Sequence, residues 1–110
     1  MNDSQYNVIA DELILAVEDA IEDVNERADQ EIDYESVSGL LTLTFINQTK
    51  IIINKQAPLH EIWVATKFNG HHFIYQDNTW LDKRSGDEFW QFLSAATSKQ
   101  AETEITLKNT

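Results

Sequence analysis

From residue 3 to residue 26 the apolar positions Tyr6, Ile9, Leu13, Val17, Ala20 or Ile21, and Val24 recur at spacings of three and four. That period gathers them on one stripe of an amphipathic α-helix, and no glycine or proline interrupts it. Asn2 or Ser4 is available to cap its start. The period then changes to two. Leu41, Leu43 and Phe45 alternate with Thr42 and Thr44, and Ile51 and Ile53 alternate with Ile52 and Asn54. Such alternation marks strands buried on one face. His60–Lys67 and His71–Gln76 read as two more strands, with Asn69-Gly70 between them as a two-residue hairpin signal. Glu31–Glu35 can open the sheet and Thr79–Leu81 can close it. Helical spacing returns in Phe89, Phe92, Leu93 and Ala96. Ser85-Gly86-Asp87-Glu88 precedes them with the serine-to-glutamate spacing of a capping box. A polar tail, 99–110, follows, with Ile105 and Leu107 as candidate anchors.

The order is helix, five or six strands, helix. Short links make neighbouring strands antiparallel. Two apolar helix stripes need one apolar sheet face. The expected architecture is therefore α+β, a two-layer sandwich with the N- and C-terminal helices packed on one face of a five- to six-stranded antiparallel sheet. The other sheet face meets water. A chain of 110 residues suits one domain, 1–110, and buries a core without staples. Cysteine is absent, which excludes disulfides, thiolate metal sites and cysteine nucleophiles and suits a reducing compartment. Met1–Gln5 is polar and unlike a signal peptide, and no apolar run approaches the ~20 residues of a membrane span. The expected location is the cytoplasm.

Charge changes this picture most. Residues 1–35 hold 12 of the 19 acidic residues and a single base, Arg27, so the net charge of −11 resides entirely there. The remaining 75 positions balance. A field this negative disfavours nucleic acid and anionic membranes and attracts cations and basic protein surfaces. Asp11, Glu12, Glu18, Asp19, Glu22, Asp23 and Glu26 all avoid the apolar helix stripe. The pairs 18/22, 19/23 and 22/26 are one helical turn apart, and each such like-charge pair costs about 0.2–0.5 kcal/mol. A sequence selected for solubility alone would mix in lysines, yet none precedes Lys50. Asp29, Glu31, Asp33 and Glu35 repeat the pattern at strand spacing, which predicts a carboxylate ridge running from helix to strand. Carboxylates are hard ligands for Mg²⁺, Ca²⁺, Mn²⁺ and iron. No EF-hand spacing and no HExxH motif is present. Any metal binding is therefore expected to be exposed, weak, multi-site and poorly selective, and a solvated or protein-docking face is the competing reading.

In the strand His60–Lys67, Ile62 and Val64 point one way, and Glu61, Trp63, Ala65 and Lys67 the other. This places Trp63 on the open sheet face with Thr42, Thr44 and Ile52, as a candidate contact anchor. Trp80 and Trp90 read as packing residues. His60, His71 and His72 are scattered, and adjacent His71 and His72 point to opposite faces. No nucleophile–base pair, phosphate loop or buried acid–base couple stands out, so no catalytic site is expected.

The run Ile51-Ile52-Ile53-Asn54-Lys55-Gln56-Ala57-Pro58-Leu59-His60-Glu61-Ile62-Trp63-Val64-Ala65-Thr66-Lys67, followed by Gly70-His71-His72-Phe73, resembles the most recognisable segment of the frataxin family. Met1-Asn2-Asp3-Ser4 with Ala10-Asp11, and Arg84-Ser85-Gly86 with Phe89-Trp90, resemble its bacterial branch. The resemblance covers nearly the whole chain and implies the same two-layer fold. It implies a non-enzymatic role in iron–sulfur cluster assembly, binding iron (Fe²⁺ or Fe³⁺, with other divalent or trivalent cations able to substitute) and regulating the cysteine desulfurase and its scaffold. Metal ligands carried over are Glu18, Asp19, Glu22 and Asp23, continued by Glu26, Asp29, Glu31 and Asp33, with Asp11 on the same helix. Expected partner contacts are Trp63, Glu18, Glu22 and Lys67. A monomer is expected, with metal-induced oligomers left open. An iron store or ferroxidase, and an acidic protein-binding module with incidental metal affinity, are the alternatives. Arg27 interrupts the acidic run, and Asn47-Gln48 stands where bacterial relatives commonly have Asn-Gly.

Overall fold

Helix α1 spans Asp3–Arg27 in the computed structural model, which describes residues 1–109. Asn2, not Ser4, caps it. The Asn2 side chain accepts the Gln5 N–H at 2.8 Å and the Gln5 side chain accepts the Asn2 N–H at 3.0 Å. The buried stripe is Tyr6, Ala10, Leu13, Ile14, Val17, Ala20, Ile21 and Val24, with Ile9 half-buried at its margin. Each large apolar side chain buried here stabilises the fold by about 1.5–3 kcal/mol. That total dwarfs the repulsion between the helix acids.

Six strands pair in chain order, all antiparallel: β1 Asp33–Val37, β2 Leu40–Thr44, β3 Lys50–Gln56, β4 Glu61–Ala65, β5 Gly70–Gln76 and β6 Thr79–Asp82. Helix α2 spans Phe89–Ala101. The register sorts the sheet into rows that share a face. Ser36, Leu41, Ile53, Val64 and His71 form one row under the helices, and Lys55, Ile62, Phe73 and Asp82 the next. Leu41, Leu43, Ile51, Ile53, Ile62 and Phe73 meet Val17, Ile21, Val24, Phe89 and Leu93 in one core. Both helices thus cover one face, as the two apolar stripes require. The tail anchors are seated: Ile105 and Leu107 are buried. The Ser98 hydroxyl bonds both backbone groups of Ile105 at 2.8 and 2.9 Å, and the Ser94 hydroxyl both of Leu107 at 2.8 and 3.2 Å.

Four local expectations shift. The first strand starts at Asp33 because the Asn25 side chain holds both backbone groups of Ile32, at 2.9 and 3.0 Å, and ties that residue to α1. His60 lies outside β4; it ends a single 3-10 turn, Ala57–Leu59, at φ 55°. Asn69-Gly70 is not a two-residue turn. The strands close at Ala65 and Gly70, and residues 66–69 make the turn around the Thr66 hydroxyl, which accepts the Phe68 and Asn69 N–H groups at 3.1 and 3.0 Å. The two-residue turns are Ser38-Gly39 and Asp77-Asn78, each with two positive φ values, the geometry that matches strand twist. Finally, α2 begins at Phe89 with Glu88 as its cap, accepting the Trp90 and Gln91 N–H groups at 2.8 and 3.1 Å. The Asp82 carboxylate takes the Arg84 N–H at 2.8 Å and folds the preceding segment into a turn, so Ser85 reaches only the Asp87 N–H.

Gln48 turns the β2–β3 link at φ 72°, a left-handed conformation that suits glycine. Its side chain carries roughly 1–2 kcal/mol of steric cost there. After subtracting the extra freedom glycine has when unfolded, Gln48→Gly is expected to raise stability by about 0.5–1 kcal/mol. A higher urea midpoint with unchanged slope is the expected readout.

Candidate functional site

Helix α1 runs antiparallel to the edge strand β1. At one end the Lys55 ammonium pairs with Asp11 at 2.8 Å, and its backbone N–H bonds Gly39 at 3.0 Å. Gly39 combines φ 82° with a Lys55 side-chain carbon 3.2 Å from where a Cβ would stand, so the approach needs glycine. At the other end the Tyr34 hydroxyl donates to the Glu22 carboxylate. The predicted ligands lie at these points, between them and onward from Glu22 into the link to β1. Asp11, Asp19, Glu22, Asp23 and Glu26 are exposed on α1, Glu18 is half-buried, and Asp29 and Glu31 are exposed in the link. Asp33 and Glu35 pair with Thr44 and Thr42, which puts them on the open side of the sheet. The helix acids and the strand acids therefore flank the β1 edge from opposite sides, with Tyr34 between them. The ridge wraps an edge.

Its electrostatics are those of crowded negative charge. Burial, followed by repulsion from Asp19 and Glu22, pushes the Glu18 carboxyl above its ordinary range. The Tyr34 phenol is pushed up to about 12, first by its hydrogen bond to Glu22. Two cations touch the set: Lys55 at Asp11, and Arg27, which pairs with Asp23 at 3.1 Å and also donates to the Thr106 carbonyl of the tail at 3.3 Å. Among the described residues Glu18, Asp19, Glu26, Asp29, Glu31 and Asp33 form no ion pair, and no three histidine, aspartate or glutamate side chains converge as a ready-made metal cage. Neighbouring carboxylates one helical turn apart can share a hard cation after rotamer changes, and a bound cation relieves the repulsion that raises Glu18.

The open sheet face carries the second feature. Val37, Leu40, Asn54, Trp63 and His72 form one row, and Glu35, Thr42, Ile52, Ala65 and Gly70 the next. Val37 and Leu40 are 58% and 39% exposed, large values for apolar side chains on a sheet. Leu40, Ile52, Trp63, Ala65 and His72 line a shallow cavity of about 220 Å³. Trp63 is half-buried and fixed. Its indole N–H donates to Glu61 at 2.7 Å, and its ring stacks on His72 with centroids 4.2 Å apart and planes 9° from parallel. Glu61, expected beside it, is nearly buried and also takes the Lys83 ammonium at 2.8 Å. Lys67 stands apart in the 66–69 turn, its ammonium 5.7 Å from the Phe68 ring centre, and contributes nothing to the Trp63 cavity.

Sequence reasoning missed Tyr34, His72 and Lys83 as members of these sites, and with Lys83 the ion pair that holds Glu61. It also missed the His71–Asp82 contact of 2.8 Å, which clamps β5 to β6 under Phe92. Two of these carboxylates set the acid limit of the fold. Burial alone raises Asp82, but the Arg84 N–H, His71 and the Ser85 N–H outweigh it and hold the group below the usual carboxylate range. Burial of Glu61 is likewise outweighed by Lys83 and Trp63. A depressed folded pKa gives stability that is present above the unfolded value, about 3.9–4.3, and lost as pH falls through the folded value. The melting temperature is therefore expected to drop steeply below about pH 4, and Asp82→Asn to flatten that limb while lowering stability at neutral pH.

The order of elements, the six-stranded sheet and the acidic edge now invite comparison. Residues 1–103 match the frataxin-like domain family. The chain belongs to the frataxin family. It is 70% identical over 107 residues to the iron-sulfur cluster assembly protein CyaY of Colwellia psychrerythraea, covering 97% of each chain. It is 58% identical over 106 residues to the protein of that name in Pseudoalteromonas atlantica, covering 96% of this chain and 94% of the relative. Frataxin from Psychromonas ingrahamii superposes with a TM-score of 0.86 at 45% identity, over 98% of this chain and 99% of the other. A trimeric frataxin from the yeast Saccharomyces cerevisiae, complexed with ferrous iron, superposes with a TM-score of 0.73 at 26% identity over 86% of each chain. The frataxin fold, two helices on an antiparallel sheet, is the one described above. The role of this chain is in iron–sulfur cluster assembly.

Proposed function

We propose that this frataxin acts without catalysing a reaction, as an iron-responsive adaptor of the cysteine desulfurase–scaffold complex in the cytoplasm. The observation that carries the reading is the carboxylate edge along α1 and β1, in which only Asp11 and Asp23 have ion-pair partners among the described residues, combined with a separate apolar face centred on Trp63. The edge supplies long-range attraction for a basic patch on the desulfurase. Glu18, Asp19, Glu22 and Asp23, continued by Glu26, Asp29, Glu31 and Asp33, take iron weakly at the surface, and Asp11 extends the set only where Lys55 releases it. Bound iron lowers the negative charge of the edge and so weakens docking. Trp63 supplies short-range contact, with Glu18 and Glu22 at the electrostatic side. The trimer with ferrous iron is a property of the yeast protein, and here a charge of −11 per chain opposes self-association until metal neutralises it.

Exposed charges are screened beyond about 8 Å at physiological ionic strength. Desulfurase affinity, measured by calorimetry, is therefore expected to fall at least severalfold between low and physiological salt, chiefly through the association rate. Affinity that ignores salt refutes the electrostatic part of this reading.

A further inference from the structure

The ring that lies flat on Trp63 is itself titratable. His72 and Trp63 are directly cross-strand in the β4–β5 register, and their rings stack at 4.2 Å and 9°. His72 is exposed to water. The charged groups around it are few. From β4, Glu61 faces it and is held by the Trp63 indole and by Lys83. From the segment after β6, Lys83 continues the pairing through its N–H to the His72 carbonyl at 2.9 Å. Arg84 shares with His72 a second shallow cavity of about 290 Å³. His71 and Asp82 bind each other on the opposite sheet face.

We propose that His72 is a titratable part of the docking face, so that protonating its imidazole weakens the docking of an apolar partner segment against Trp63. This rests on the reading of Trp63 as a contact residue. A neutral imidazole and an indole together offer a two-ring platform beside Leu40, Ile52 and Ala65, suited to one large apolar side chain in the 220 Å³ cavity. An imidazolium on the same spot is attracted to the indole face. A partner that covers it must strip water from a full charge, a cost that the neutral ring does not impose. Histidine is the side chain type whose unperturbed charge change falls between about pH 5 and 8, the range over which the proposal is tested.

The test has two arms. In the labelled free protein, the Trp63 indole N–H signal (assigned by its loss in Trp63→Phe) and the His72 ring signals are followed from about pH 8 to 5.5. They are expected to share one midpoint, and His72→Phe, which keeps a stacked ring, is expected to erase that step at Trp63. In the second arm, affinity for the desulfurase–scaffold complex is expected to fall about three- to tenfold over the same range in the wild type and less than about twofold in His72→Phe. Subtracting the variant cancels titration of the carboxylate edge, His60 and His71. A Trp63 signal that stays still while His72 titrates overturns the proposal. So does a pH dependence that survives in His72→Phe. Loss of docking in Trp63→Ala with pH-independent wild-type affinity overturns it while leaving the docking reading standing. A Trp63→Ala variant that docks like the wild type at about pH 8 overturns both.

Discussion

Replacing four helix carboxylates together, Glu18→Gln, Asp19→Asn, Glu22→Gln and Asp23→Asn, is expected to weaken desulfurase docking at low salt by about tenfold or more and to remove most iron binding. The loss should lie in the association rate, because these groups act at a distance through water. The same change should leave the fold intact and make it more stable. It relieves the repulsion of the pairs 18/22, 19/23 and 22/26, each worth about 0.2–0.5 kcal/mol. Against this stand the exposed Asp23–Arg27 pair and the Tyr34–Glu22 hydrogen bond, for which glutamine still offers an acceptor oxygen. The expected net gain is about 0.5–1 kcal/mol in urea unfolding. Asp77→Asn with Asp87→Asn, two exposed acids outside the edge, should change neither docking nor iron affinity. Stoichiometric iron binding that survives the fourfold change contradicts the assignment of those ligands.

Trp63→Ala is expected to reduce docking by about thirtyfold or more, the scale of a central aromatic contact worth about 2 kcal/mol. This loss should appear in the dissociation rate and persist at high salt, which separates it from the loss caused by the carboxylate change. The fold should survive. Trp63 is half-buried and outside the main core. Truncation forfeits its stack on His72 and one of the two donors to Glu61. A destabilisation of about 1–2 kcal/mol follows from those two contacts. Surface-resonance kinetics at two salt concentrations, with unfolding curves as a control, check both numbers.

Much of this was legible along the chain because burial enforces period. The stripe from Tyr6 to Val24 and the alternation through Leu41–Phe45 and Ile51–Ile53 have one packing solution, and both helices had to share a sheet face. The acidic edge was legible as composition, but its shape was not. Side chains alternate along β1, so Asp33 and Glu35 leave the helix side, and only the strand register shows that Tyr34 sits between the two acidic sets. His72 was lost through one turn. Reading Asn69-Gly70 as the hairpin turn pairs Trp63 with Gln76, whereas the turn at 66–69 pairs it with His72. The hydrogen bonds of the Thr66 hydroxyl decide this, and no apolar pattern reports them. The Glu61–Lys83 pair and the His71–Asp82 clamp depend on contacts between residues 22 and 11 positions apart, for which the chain carries no local signal.

The central claim is that iron and the desulfurase meet the same carboxylate edge. One labelled sample titrated first with Fe²⁺ and then with desulfurase, followed by amide NMR, tests it most directly. The account predicts iron broadening along Glu18–Glu26 and Asp29–Asp33, desulfurase perturbation of the same amides together with Trp63, and weaker desulfurase binding once iron is present. Desulfurase perturbations confined to α2 and the tail, or affinity indifferent to iron at saturation, would contradict it.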